Sequence, residues 1–110
     1  TFLESILASM QSAVIALDPD MRVTVWNDRA QAMWGLRRDE VLGEHLFNLD
    51  IGLPVELLRP AIRATLTNLE DPADEHLTAV NRRGQTVTIR VMATALRDSG
   101  VTTGTVLLIE

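Results

Sequence analysis

A chain of 110 residues, 46% hydrophobic, has enough apolar side chain for one globular core and is too apolar to be disordered. Its longest apolar runs fall far short of a bilayer, no secretory signal is present, and the absence of cysteine excludes disulfides, thiolate metal sites and cysteine nucleophiles while fitting a cytoplasmic origin. The formal net charge of −5 argues against nucleic acid or an anionic membrane as the main partner.

In chain order, residues 1–12 place Phe2, Leu3, Ile6, Leu7 and Met10 on one stripe of an amphipathic helix. Such a helix either packs on its own sheet or also covers a second copy of the chain. The second reading is preferred, which makes these five residues the expected homodimer interface. Residues 13–17 are a short apolar strand. Asp18-Pro19-Asp20 is a turn, in which proline fixes φ and the aspartates can bond their own backbone. Residues 22–26 form a second, β-branched and aromatic strand, so the two pair as an antiparallel hairpin. Neither strand alternates cleanly, which implies cover on both faces.

Asn27 offers a side-chain oxygen to the free N–H groups of a helix start. A helix over 27–34 follows, with Ala30, Met33 and Trp34 inward and Gly35 as its left-handed stop. A shorter helix spans 38–42 and ends at Gly43. Leu46, Phe47, Leu49 and Ile51 mark 44–52 as an irregular but packed segment. Pro54 suits a helix start, and Pro60 would break a long helix while suiting the first position of a new one. The expectation is therefore a turn at 54–58 and then a helix over about 59–68 that buries Ala61, Ile62, Thr65, Leu66 and Leu69. Residues 70–75 read as a solvated acidic loop. Strands follow at 76–81, 86–96 and 103–110, with turns at Arg82-Arg83-Gly84 and Asp98-Ser99-Gly100. The fold class is α+β: a five-stranded antiparallel sheet with short helices gathered on one face. The chain's ends read as cuts from a longer protein.

Five segments resemble a PAS domain in the order that family has them: residues 13–20, the run Val25-Trp26-Asn27-Asp28-Arg29-Ala30, residues 34–43, the hairpin at Asn81-Arg82-Arg83-Gly84 and the closing strand at 105–110. Residues 49–60 resemble more narrowly the PAS domains attached to bacterial chemotaxis-type methyltransferase/methylesterase and histidine kinase signalling proteins. The resemblance implies a flanking helix at 1–12 and a PAS domain at 13–110. It also implies a cytoplasmic, bacterial signalling module of a two-component system that relays a bias to flanking domains. The outward sheet positions Val14, Ala16, Met92, Val106 and Leu108 would be the face covered by the first helix.

On the family pattern, a pocket between sheet and helices would be lined by Ile15, Leu17, Met33, Phe47, Leu58, Ile62, Ile89, Val91 and Leu107, with Ile109 on the same sheet face. These are nearly all apolar, as ordinary core would be, and few polar groups are available to orient a ligand. No cofactor is favoured. A cysteinyl flavin adduct is excluded, whereas a non-covalent flavin, a haem or a metabolite stays open as the alternative reading. Trp26 and Trp34 could stack on a flavin ring, though packing is the commoner use of such residues. Haem wants an axial histidine, and the expected helix over 59–68 has none. His45 and His76 read as surface residues and make a poor metal site. No phosphate loop, nucleophile elbow or HExxH motif is present, so the domain itself is not expected to be an enzyme.

Overall fold

The computed structural model describes residues 12–66 and 73–110. The helix expected over 1–12, with Phe2, Leu3, Ile6, Leu7 and Met10, lies outside the described residues, as do Leu69 and the start of the acidic loop.

Strand β1 (Ala13–Leu17) is buried along its whole length and lies inside the sheet. It pairs antiparallel with β2 (Val23–Trp26), Ile15 opposite Trp26, and with β5 (Val101–Ile109), Ile15 opposite Leu107. Strand β4 (Thr86–Asp98) joins β5 to the edge strand β3 (Ala73–Val80), giving the order β2-β1-β5-β4-β3, all antiparallel. The β1–β2 turn works as its sequence suggests: Asp18 Oδ1 accepts from the N–H groups of Asp20 (2.8 Å) and Arg22 (3.0 Å). Strand β3 begins three residues earlier than expected, so Asp74 and Glu75 lie in a strand and not in a loop. There Asp74 pairs with Arg90 of β4 at 2.7 Å.

Helices α1 (Asp28–Trp34) and α2 (Arg38–Val41), a 3₁₀ turn at Leu46–Asn48 and helix α3 (Val55–Leu66) fill the stretch between β2 and β3. Helix α3 runs unbroken through Pro60, against the expectation of a break. Proline inside a helix costs a hydrogen bond and strains the preceding turn. Here its ring faces solvent, while Leu58, Ala61, Ile62 and Thr65 are buried on one stripe. Docking that stripe on the sheet outweighs the local penalty, since tertiary packing supplies most helix stability in proteins.

The core is one apolar cluster. Ile15, Leu17, Trp26, Ile89, Val91, Leu107 and Ile109 come from the sheet, and Ala30, Trp34, Val41, Leu46, Leu58 and Ile62 from the helical side. The sheet also demands a close approach between β5 and β1. A Cβ on Gly104 of β5 would overlap the carbonyl oxygen of Leu17, so only glycine lets β5 pass the end of β1.

Candidate functional site

The strand-to-helix corner is held by one side chain. Asn27, 4% exposed, caps α1 by accepting the Ala30 N–H at Oδ1 (3.0 Å). The same oxygen accepts the N–H of Val14 (2.9 Å), and Nδ2 donates to the carbonyl of Ser12 (3.0 Å). Asn27 is therefore a cap and also a clamp that ties the helix start to β1. The second role has no local sequence signal, because its partners lie 13 and 15 residues away. Trp26 is fully buried in the core cluster, and its Nε1 donates to Leu36 O (2.9 Å). Trp26 therefore packs in the core, the commoner use of such a residue. Arg38 closes the corner from outside, donating from Nε to Trp26 O (2.8 Å) and pairing with Asp28 (3.1 Å).

Of the pocket candidates, Ile15, Leu17, Leu58, Ile62, Ile89, Val91 and Leu107 are buried together in the core cluster, and Met33 and Phe47 pack against it half-buried. Two polar features interrupt this interior. The hydroxyls of Thr65 on α3 and Thr105 on β5 share a buried hydrogen bond of 2.6 Å, and Thr65 Oγ1 also donates to Ile62 O (2.7 Å). Trp34 Nε1 is buried with no hydrogen-bond partner among the described residues. Over the helical side, Arg59 binds both carboxylate oxygens of Glu56 (3.0 Å each) and lies 4.0 Å above the Phe47 ring, which stitches α3 to the 3₁₀ turn. The hydrogen bond from Arg59 holds the Glu56 carboxyl below its ordinary pKa, and that from Arg90 does the same for Asp74.

On the opposite sheet face, Val14 stands beside Leu108, Ala16 beside Val106, and Met92 beside Leu108. Val14 and Ala16 are buried, and Met92, Val106 and Leu108 are half-buried. The five outward candidates thus form one continuous apolar strip across β1, β5 and β4.

A cleft of 520 Å³ lies where α1 meets the β3–β4 turn. It is lined by Arg29, Ala32 and Met33 of α1, residues 81–83 and Gln85 of the turn, residues 87–89 of β4, and Glu110. The turn is locked to the helix. Arg82 N–H donates to Met33 O (2.9 Å), and Asn81 Oδ1 accepts from the N–H groups of Arg83 and Gln85 (3.0 Å each). Gly35 makes this docking feasible, since it takes φ +82° to end α1 and a Cβ there would press on Arg82 Cβ at 3.2 Å. Of the pocket residues expected from the family pattern, only Met33 and Ile89 belong to this lining, so the cleft lies outside the interior which that pattern indicated. Its arginines carry little signal in the sequence beyond the Arg82-Arg83 pair, placed in a turn that faces a helix bearing Arg29.

His45 sits at the 3₁₀ turn, where its Nδ1 accepts the Phe47 N–H (3.3 Å), and His76 is exposed on β3. Among the described residues no group of three or more histidines and carboxylates is placed to hold a metal ion, and no helix is long and apolar enough to cross a membrane.

The family model described as PAS fold matches residues 1–110. The sensor protein kinase WalK of Staphylococcus saprophyticus is 24% identical over 102 residues, which cover 93% of this chain and 15% of that protein. The PAS domain of histidine kinase ThkA superimposes with a TM-score of 0.72 at 23% identity, covering 92% of this chain and 99% of that one. Vibrio cholerae VqmA, described as a dimer with a target DNA, gives a TM-score of 0.86 at 16% identity and covers 100% of this chain and 50% of that one. At these identities the structural likenesses establish the fold. The chain is similar to PAS domains of histidine kinase sensor proteins.

Proposed function

This chain belongs to the PAS family, and from that premise we propose that it is the signalling and dimerisation module of a larger cytoplasmic, bacterial two-component protein. In this reading residues 1–12 are a flanking helix and 13–110 the PAS domain, which has no catalytic role of its own. Two copies associate through Phe2, Leu3, Ile6, Leu7 and Met10, and the pair passes a conformational bias to flanking signalling domains. Nucleic acid is not a partner in this reading, in keeping with the net charge of −5.

The observation that carries the proposal is the second apolar face of the sheet. A sheet with a core on one face ordinarily shows polar residues on the other. Here Val14, Ala16, Met92, Val106 and Leu108 lay an apolar strip across that face as well. Burying one aliphatic side chain is worth about 1.5–3 kcal/mol, so a few such contacts set a dimer equilibrium. Light scattering on the unmutated chain is the test. A dimer at high micromolar concentration, weakened by Ile6→Asp or Leu7→Asp, is expected; a monomer there sinks the proposal.

A second reading, a sensor holding a non-covalent flavin, haem or metabolite in the core, draws on the buried Trp34 Nε1, unpartnered among the described residues, a donor that a ligand carbonyl would satisfy. An absorbance spectrum of the purified protein, followed by mass spectrometry of what denaturation releases, separates the two. Colour or a stoichiometric released compound favours the sensor.

A further inference from the structure

Arginine is the chain's only basic residue type apart from two histidines, and there are ten arginines. Arg37, Arg38, Arg59 and Arg90 form ion pairs, Arg22 donates to the Gly43 carbonyl (3.0 Å), and Arg63 is also engaged. The guanidinium groups of Arg29, Arg82, Arg83 and Arg97 bond nothing among the described residues, and three of these four line one cleft between α1 and the β3–β4 turn. The chain carries fifteen carboxylates. One carboxylate, Glu110, shares the lining, and Arg90 also attracts it. Three arginines against one carboxylate leave the lining net positive.

Three further features make this more than a solvated charged surface. The cleft has 520 Å³, the scale of a small-molecule site. Its backbone frame is pre-set, because the turn is bonded internally through Asn81 and to α1 through Met33 O. Ala32, Met33, Val87 and Ile89 add apolar side chains to its lining, while Gln85 and Thr88 add hydrogen-bonding groups. Guanidinium forks match carboxylate and phosphate oxygens two by two, and they do so best where an apolar wall limits water.

We propose that this cleft is a binding site for a small organic anion, with a carboxylate or phosphate head on Arg29, Arg82 and Arg83 and a compact apolar body against Met33, Val87 and Ile89. The site opens at the edge of the core and does not depend on the dimerisation reading.

The test is an NMR titration of the folded chain with phenyl phosphate, run in parallel with benzoate and with inorganic phosphate. Saturable amide shifts confined to residues 29–35 and 81–89 are expected, with phenyl phosphate or benzoate binding tighter than inorganic phosphate; which of the two binds tighter identifies the head group. Binding should fall about tenfold in the Arg82→Gln/Arg83→Gln variant, the scale of losing one charge-assisted hydrogen-bonded pair, and should weaken with salt. Arg97→Gln removes a charge outside the cleft and should change nothing. Arg29→Gln serves as an independent variant should the turn variant fold poorly. Absence of saturable shifts with phenyl phosphate and benzoate up to about 10 mM, well above useful ligand affinities, overturns the proposal. Equal weakening by Arg97→Gln and Arg29→Gln overturns it too, since binding would then follow net charge alone.

Discussion

At the start of helix α1, Asn27 and Arg29 follow opposite rules. On one side Ala30 and Trp34 are buried, and Asn27 at the helix start has both its side-chain oxygen and nitrogen bonded to backbone groups. On the other side Arg29 faces a cleft whose arginine side chains bond nothing among the described residues. A buried polar group left unpaired costs the full desolvation penalty, so at Asn27 the fold itself completes the bonding. An exposed guanidinium carries no such penalty, so the second side stays open to a ligand. The same helix therefore anchors the domain and presents a chemically unfinished surface.

The anchored side fails most severely at Asn27. Asn27→Ala removes the cap and leaves the Val14 and Ala30 N–H groups buried without partners, so urea unfolding should register a loss of about 3 kcal/mol. Gly104→Ala is expected to cost about 2 kcal/mol or more by forcing β5 off the Leu17 carbonyl, read as a lower urea midpoint. Gly35→Ala acts on the hinge between the two sides. Its left-handed φ and its contact with Arg82 predict a loss of about 1 kcal/mol, together with displaced amide resonances at 81–85. By contrast, Arg82→Gln with Arg83→Gln should leave stability within about 0.5 kcal/mol of the parent, because neither guanidinium is bonded among the described residues.

The smallest effect expected is electrostatic and lies away from α1. Arg90 holds the Asp74 carboxyl below its ordinary value of 3.8. A carboxylate depressed in the folded state contributes stability above its unfolded pKa and loses it as pH falls through the folded value. The urea midpoints of the parent and Asp74→Asn should therefore differ slightly near pH 6 and converge below pH 3.8. A gap that persists unchanged at low pH would assign the difference to something other than this ion pair.

Much of the molecule is legible in the sequence. The apolar run at 13–17, the Asp-Pro-Asp turn, the Asn27 cap, the Gly35 stop and the period-two pattern of residues 86–91 are short signals, and each reports on its own segment. Together they were enough for an α+β sheet and for the family. The interior candidates were legible for the same reason, since apolar side chains at strand and helix spacing point inward whatever their partners.

What the chain's local pattern could not decide depends on groups far apart in sequence. Pro60 predicts a helix break, but the buried stripe from Leu58 to Thr65 and its seat on the sheet outweigh that local preference. Asn27 announces a cap, yet its bonds to Val14 and Ser12 exist only because β2 pairs with β1. The need for glycine at 104 arises where β5 passes Leu17, more than eighty residues earlier in the chain. The cleft is the sharpest case: Arg29 and the Arg82-Arg83 pair are ordinary surface residues in the sequence, separated by about half its length. They become neighbours only when the Arg82 N–H docks on Met33 O. Propensity and capping are short-range energies that a sequence displays directly, whereas pairing, close approach and charge convergence are set by the assembled sheet.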